Sequence, residues 1–219
     1  MTPTEIETAA RRMLNAVGSK FWSSEEIIEN YLYMAALEMA QETFCIQNRY
    51  TQSTVADQQE YTVPARMLSI QRVTYDSSKL QRITRLKLDS IDVNTNTTVT
   101  GTPQYYYHED DVFGLYPTPT EVKTLGLTTY DAPDVPTSTS TLQIPIRFHG
   151  HLVIGVAWHM SLKELGHPNQ RTYEFQWHGA GNPNSAINQV RKAIRMMNKD
   201  QFHTVTLEEN QPSTVLGMV

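Results

Sequence analysis

Four histidines, His149, His151, His159 and His167, fall in one stretch of the sequence. Imidazole is a common metal ligand, but two ligands on a helix must sit three or four residues apart to share a face. His149 and His151 are two apart and diverge, so capping and interface roles are expected of these residues. Glu109, Asp110 and Asp111 present consecutive carboxylates. Their spacing lacks the alternating ligands of a calcium loop, and they read as the solvated tip of a hairpin, available to a partner. No Gly-rich phosphate loop, nucleophile elbow or H-E-x-x-H pattern occurs. No catalytic residue, metal site or cofactor is therefore expected. Ser, His and Asp are abundant without any spacing that selects a triad, which leaves a hydrolase with an unrecognised site as an alternative.

Two further groups bear on binding. Tyr105, Tyr106 and Tyr107 offer ring faces for stacking on bases or sugars. At strand spacing Tyr105 and Tyr107 share one side and Tyr106 takes the other, so packing against the sheet is the simpler use; a glycan- or protein-binding module is the alternative. Arg191, Lys192, Arg195 and Lys199 form a basic stripe on an otherwise acidic protein, suited to an acidic surface on a neighbour. Val215 and Leu216 are apolar residues in a polar C-terminal segment and are further interface candidates.

Composition narrows the classes. In 219 residues, 39% are hydrophobic, with 11 Tyr and 3 Trp, enough for a real core. The net charge of −5 argues against wrapping nucleic acid by charge neutralisation. One cysteine, Cys45, excludes intrachain disulfides and multi-cysteine zinc sites; it is expected as a small buried apolar residue. The apolar run Leu152 to Trp158 is too short for a bilayer, and Met1-Thr-Pro-Thr-Glu5 shows no signal peptide. A protein made in a cytosol, without membrane association, is expected.

The elements that would position these residues can be read in order. Thr2-Pro3-Thr4-Glu5 is a capping box with proline at the first helical position, and the helix runs to a stop at Gly18. Ser23-Ser-Glu-Glu26 opens a second helix expected to reach Asn48, ~37 Å long for ~25 residues. From Thr51 the pattern becomes strands and turns. Thr54–Val55 is expected to pair with Tyr61–Val63. Apolar parity flips from Leu68 and Ile70 to Val73 and Tyr75. A two-residue period cannot flip without an extra residue, which predicts a β-bulge near Gln71–Arg72, or two buried faces. Asp76-Ser-Ser78 is a turn, and Leu86–Val93 is ambiguous, a short helix capped by Asp89 or Ser90 being one reading. Asn94–Thr102 is a polar loop. Strands follow at Gly101–Tyr107, Val112–Tyr116 and Leu125–Thr129. Val73-Thr-Tyr-Asp76 and Thr128-Thr-Tyr-Asp131 echo one another as shared strand-to-turn chemistry. Phe148–Leu165 is apolar almost all round, which places it mid-bundle, with Gly155 allowing close helix approach. Asn169–His178 and Ser185–Asn198 complete the helices, and residues 201–219 read as an extended tail. The fold class is therefore α+β: a helical bundle interrupted by a small β-sandwich or barrel-like domain, divided as 1–50, 51–146, 147–199 and 200–219.

The succession Tyr61-Thr-Val-Pro-Ala-Arg-Met-Leu68, Ile70-Gln-Arg-Val-Thr-Tyr-Asp76, Leu86-Lys-Leu-Asp89, Gly101-Thr-Pro-Gln-Tyr-Tyr-Tyr107 and Leu115-Tyr-Pro-Thr-Pro119, ending in an apolar helix after Ile144-Pro-Ile-Arg-Phe-His149, resembles the head-to-tail adaptor (connector or neck) proteins of tailed bacteriophages. It covers roughly Thr51–Leu165. Arg66 stands where the family pattern has an acidic residue, and the match is weaker after Leu165. The resemblance implies a structural virion protein, not an enzyme. It implies a homo-oligomer, a dodecameric ring beneath the portal protein at the head–tail junction. The ring would dock tail or nozzle proteins and extend a channel through which DNA passes, and is ejected, without specific binding.

Overall fold

The computed structural model describes residues 1–91, 99–164, 167–179 and 181–202, with side chains up to residue 197. It is an α+β structure with six helices and two four-stranded sheets among the described residues.

Helix α1 is Pro3–Met13, and the expected capping box forms: Thr2 accepts from Glu5 N, and the Glu5 carboxylate accepts from Thr2 N at 2.8 Å. The helix ends before Gly18, because Asn15 takes a left-handed conformation (φ 55) and leaves Val17 in solvent. The second helix begins where Ser23 Oγ accepts from Glu26 N at 3.1 Å. It opens with π-turns over Glu26–Leu32 and continues as α2, Tyr33–Thr43. It stops five residues short of Asn48. Phe44 is left-handed (φ 53), Thr43 Oγ1 bonds back to Met39 O, and Gln47 already belongs to a strand.

The first sheet runs β1 (Gln47–Ser53), β8 (Thr124–Asp131), β3 (Met67–Tyr75), β4 (Ser78–Lys79), with antiparallel pairing throughout. The second runs β2 (Glu60–Thr62), β7 (Val112–Tyr116), β6 (Tyr105–Glu109), β5 (Gln81–Arg82), with β5 parallel to β6. The bulge is where parity requires it. Ile70 pairs with Thr129 and Arg72 with Thr128, leaving Gln71 unpaired in the register, so Ile70, Val73 and Tyr75 all turn to the core. Thr54–Val55 and Tyr61–Val63 do not pair as a hairpin. Thr54 N bonds Lys123 O, and β2 joins the other sheet, its tyrosine hydroxyl reaching back to Val55. Residues 86–93 resolve in part: α3 is Arg85–Ile91, and Thr84, not Asp89 or Ser90, caps it through Lys87 N. Residues 92–98, most of the expected polar loop, lie outside the described residues.

Three apolar cores result among the described residues. Ile70, Val73, Leu125 and Leu127 of the first sheet meet Tyr61, Tyr106, Phe113 and Leu115 of the second. On the outer side of the second sheet Tyr107 and Tyr116 pack with Leu88 of α3. Tyr107 lies across Gly114, its register partner, where an added Cβ would stand 2.0 Å from the ring. The helical core forms around α4 (His149–Lys163), with α5 (Gln170–Trp177) and α6 (Ala186–Phe202) closing it. Helix α4 buries Leu152, Val156, Ala157 and Met160. Gly155 meets Ala35 of α2 on one side and Trp177 of α5 on the other: a Cβ there would lie 2.9 Å and 2.8 Å from them. Gly155→Val should therefore lower unfolding free energy by about 2 kcal/mol, read by urea denaturation; unchanged stability would show that Trp177 has room to move.

Candidate functional site

The described surface offers three patches. The first is the β6–β7 turn. Asp110 adopts φ 45, which an Asp tolerates, and Glu109, Asp110 and Asp111 are all exposed at the tip. Val63 N bonds Asp111 O at 3.0 Å, so the end of β2 holds the tip in place. The acidic hairpin expected from the sequence is present, and no ion pair neutralises it among the described residues.

The second patch is basic. Arg191, Lys192 and Arg195 of α6 line a groove of about 410 Å³ with Pro183, Asn188 and Met196. The helix face is as expected at Ala186, Ile187 and Val190, which are buried, but Met197 is 38% exposed. Arg191 is already engaged: its guanidinium pairs with Glu42 of α2 at 2.6 Å and with Asn188 Oδ1 at 2.9 Å. It ties α6 to α2, leaving Lys192 and Arg195 as the outward cations of this groove. The side chain of Lys199, and Val215 and Leu216 altogether, lie outside the described residues.

The third patch was not legible in the sequence. A groove of about 580 Å³ lies between Tyr31, Met34, Leu37 and Glu38 on one wall and Trp158, His159, Leu162 and Lys163 on the other. The π-turns end at its rim; such turns widen a helix locally and recur at binding sites. Glu26 fixes the rim, accepting from Tyr31 Oη at 2.7 Å and from Lys163 Nζ at 2.7 Å. Behind the groove, Glu38 accepts from Trp177 Nε1 at 2.8 Å and sits 3.4 Å from His159 Nε2 and 3.6 Å from His178 Nε2. The His159 contact is at ion-pair distance. Burial works to raise the Glu38 pKa, but the bonds and charges of His159, Trp177 and His178 outweigh it and hold the carboxyl below its ordinary value.

The remaining sequence candidates resolve as follows. His149 Nε2 contacts Ile144 O at 2.7 Å and His149 is buried, a structural role at the start of α4. No group of three or more His, Cys, Asp or Glu is placed to hold a metal ion among the described residues. Tyr106 and Tyr107 are buried in two different cores, so the tyrosines form no open stacking platform. Cys45 is half-buried against the helical core, with burial raising its thiol pKa. Among the described residues no helix is long and apolar enough to cross a membrane.

Asp131 is a buried residue the sequence reading misplaced. The echo of Asp76 in a turn suggested the same role, and Asp76 does sit in the β3–β4 turn with φ 46. Asp131 instead is 1% exposed and accepts from Asn48 Nδ2 at 2.8 Å, from Thr129 Oγ1 at 2.6 Å and from Tyr50 Oη. It clamps β1 to β8 where the chain passes between helices and sheets.

The sequence model of the SU10 adaptor protein family matches residues 1–211. The chain belongs to that family. No curated protein matches it. SU10 adaptor proteins are phage head-to-tail adaptors, which makes this a structural virion protein associated with portal and tail proteins. Membership points away from an enzyme. The family match reaches past α6, beyond the Thr51–Leu165 span of the resemblance, into the residues that follow Phe202.

The Glu38 cluster yields a pH dependence with a definite sign. A carboxyl whose folded pKa is depressed adds stability above its unfolded pKa, and that stability is lost as pH falls through the folded value. Glu38→Gln should cost about 1–2 kcal/mol at pH 7, and the difference from wild type should shrink on acidification below the ordinary carboxylate range. Denaturant titrations at a series of pH values check this; a difference that stays constant with pH would contradict it.

Proposed function

We propose that this adaptor assembles as a closed, dodecameric homo-oligomeric ring between portal and tail, its lumen continuing the DNA channel without specific binding. The family match over residues 1–211 carries the reading. Two features of the surface support it. A ring repeats one heterologous contact, so each copy needs two different complementary patches, and here an acidic tip (Glu109–Asp111) and a basic face (Lys192, Arg195) occupy separate parts of the chain. Net charge of −5 suits a channel through which DNA slides without adhering.

In this reading residues 1–50 and 147–199 form the ring-building helical bundle. Residues 51–146 form a β module turned toward tail or nozzle proteins, and residues 200–219 reach an adjacent subunit or the portal. The location is the virion neck, after synthesis in the host cytoplasm. A glycan-binding module is less well supported because Tyr106 and Tyr107 are interior.

The experiment is native mass measurement of the full chain, alone and mixed with purified portal. A single closed multiple of the 25.0 kDa chain that binds portal is expected; a monomer indifferent to portal would overturn the reading. A second test addresses the module. Glu109→Lys with Asp111→Lys reverses the tip while leaving Asp110, whose φ of 45 a lysine would tolerate less well. The variant should fold and bind portal normally but reduce tail attachment in a complementation assay roughly 10-fold, as loss of ~1.4 kcal/mol would. Unchanged tailed-particle yield would show that the tip does not face the tail.

A further inference from the structure

The groove between α2 and α4 combines two properties that point to one kind of occupant. Its walls are apolar and open: Met34 is 48% and Leu162 43% exposed, and half-buried Leu37 also lines them. It also carries an unpaired donor. Trp158 Nε1 is buried and makes no hydrogen bond among the described residues, whereas His159 Nε2 is taken up by the Glu38 carboxylate at 3.4 Å. A buried donor without an acceptor is unfavourable, so an occupant that brings an acceptor gains more here than apolar contact alone provides. A helix spends its carbonyls on itself. An extended segment leaves every other carbonyl and side chain free to face a groove.

The chain contains such a segment. Residues 203–219 follow α6 and show no helical spacing of apolar residues; after Pro212 they read Ser-Thr-Val-Leu-Gly-Met-Val, uncharged and mostly apolar. The course of α6 favours delivery to another copy. Ala193 and Ile194 are the last residues of α6 found against the helical core, while Arg195, Met196 and Met197 are exposed. From Ile194 to Phe202 the helix carries the chain about 12 Å further, and the remaining residues, extended, span up to ~55 Å.

We propose that residues 213–219 of one copy lie extended in the α2–α4 groove of the neighbouring copy. Val215, Leu216 and Met218 would pack on Met34, Leu37 and Leu162, and a backbone carbonyl would accept from Trp158 Nε1. Segment and groove then form a second heterologous contact around the ring, and the inference rests on the ring reading above.

Cross-linking tests it. In a Cys45→Ala background, full chains carrying Leu162→Cys or Leu216→Cys are purified separately, mixed and treated with a short bis-maleimide. A covalent dimer joining the two variants is expected, and Val215→Asp on the Leu216→Cys chain should reduce its yield at least 10-fold. A third chain carrying both substitutions is treated alone; a link within it, with none between the two single variants, would place the segment in its own groove and overturn the proposal. So would no link at all, or capture of the segment by added portal instead. The mass of the same sample separates the two readings: a closed ring without the link sinks this inference alone, and the link in an assembly that is not a closed ring sinks the ring reading while retaining the groove.

Discussion

The structure depends on a missing side chain. Helix α4 is apolar on nearly all sides and must be surrounded, yet a helix can be surrounded closely only where its surface is low. Gly155 supplies that low point, and Ala35 and Trp177 approach from two different helices to fill it. The indole of Trp177 is then wholly buried, which obliges its N–H to find an acceptor. Glu38 of α2 provides it, and that carboxylate draws in His159 and His178. One steric permission thus leads to a polar cluster joining α2, α4 and α5, and to the groove on whose wall Trp158 Nε1 is left without a hydrogen-bond partner among the described residues. The candidate binding surface is a consequence of how the core closes.

A second constraint operates where helices give way to sheets. Phe44 reverses the chain in a left-handed conformation and packs its ring 5.3 Å from that of Tyr130. Asp131 gathers Asn48, Tyr50 and Thr129, and Arg66 pairs with Asp134 on the returning chain. The helical core and the core between the sheets have separate memberships, joined by these polar clasps. That arrangement suits an adaptor, in which one part can hold neighbours while the other presents a tip to a different protein.

Much of the fold was legible because local rules and packing agreed. The capping box at Thr2 and Glu5 needed only residue types at fixed offsets. The bulge at Gln71 followed from counting parity, since Ile70 and Val73 cannot share a face otherwise. Gly155 was readable as a close approach because nothing else explains a glycine in the middle of an apolar helix. What escaped notice depended on partners distant in sequence. Phe44 and Asn15 stop helices in left-handed conformations that few side chains announce, so both helices read too long. Tyr61 looked like half of a local hairpin, but its strand pairs with Val112–Gly114. Asp131 repeats the motif of Asp76, and only burial separates a clamp from a turn. The acidic tip was visible because turn residues and charge coincide; the α2–α4 groove was not, because its walls lie more than a hundred residues apart.

Family membership makes this chain a phage adaptor; we propose that it works by being held in a ring and holding others. A cryo-electron microscopy reconstruction of the virion neck tests that most directly. The account requires copies of this fold in a closed ring between portal and tail, helices forming the wall, the Glu109–Asp111 tip directed at the tail. Finding the fold elsewhere in the particle, or as isolated copies without mutual contact, would contradict it.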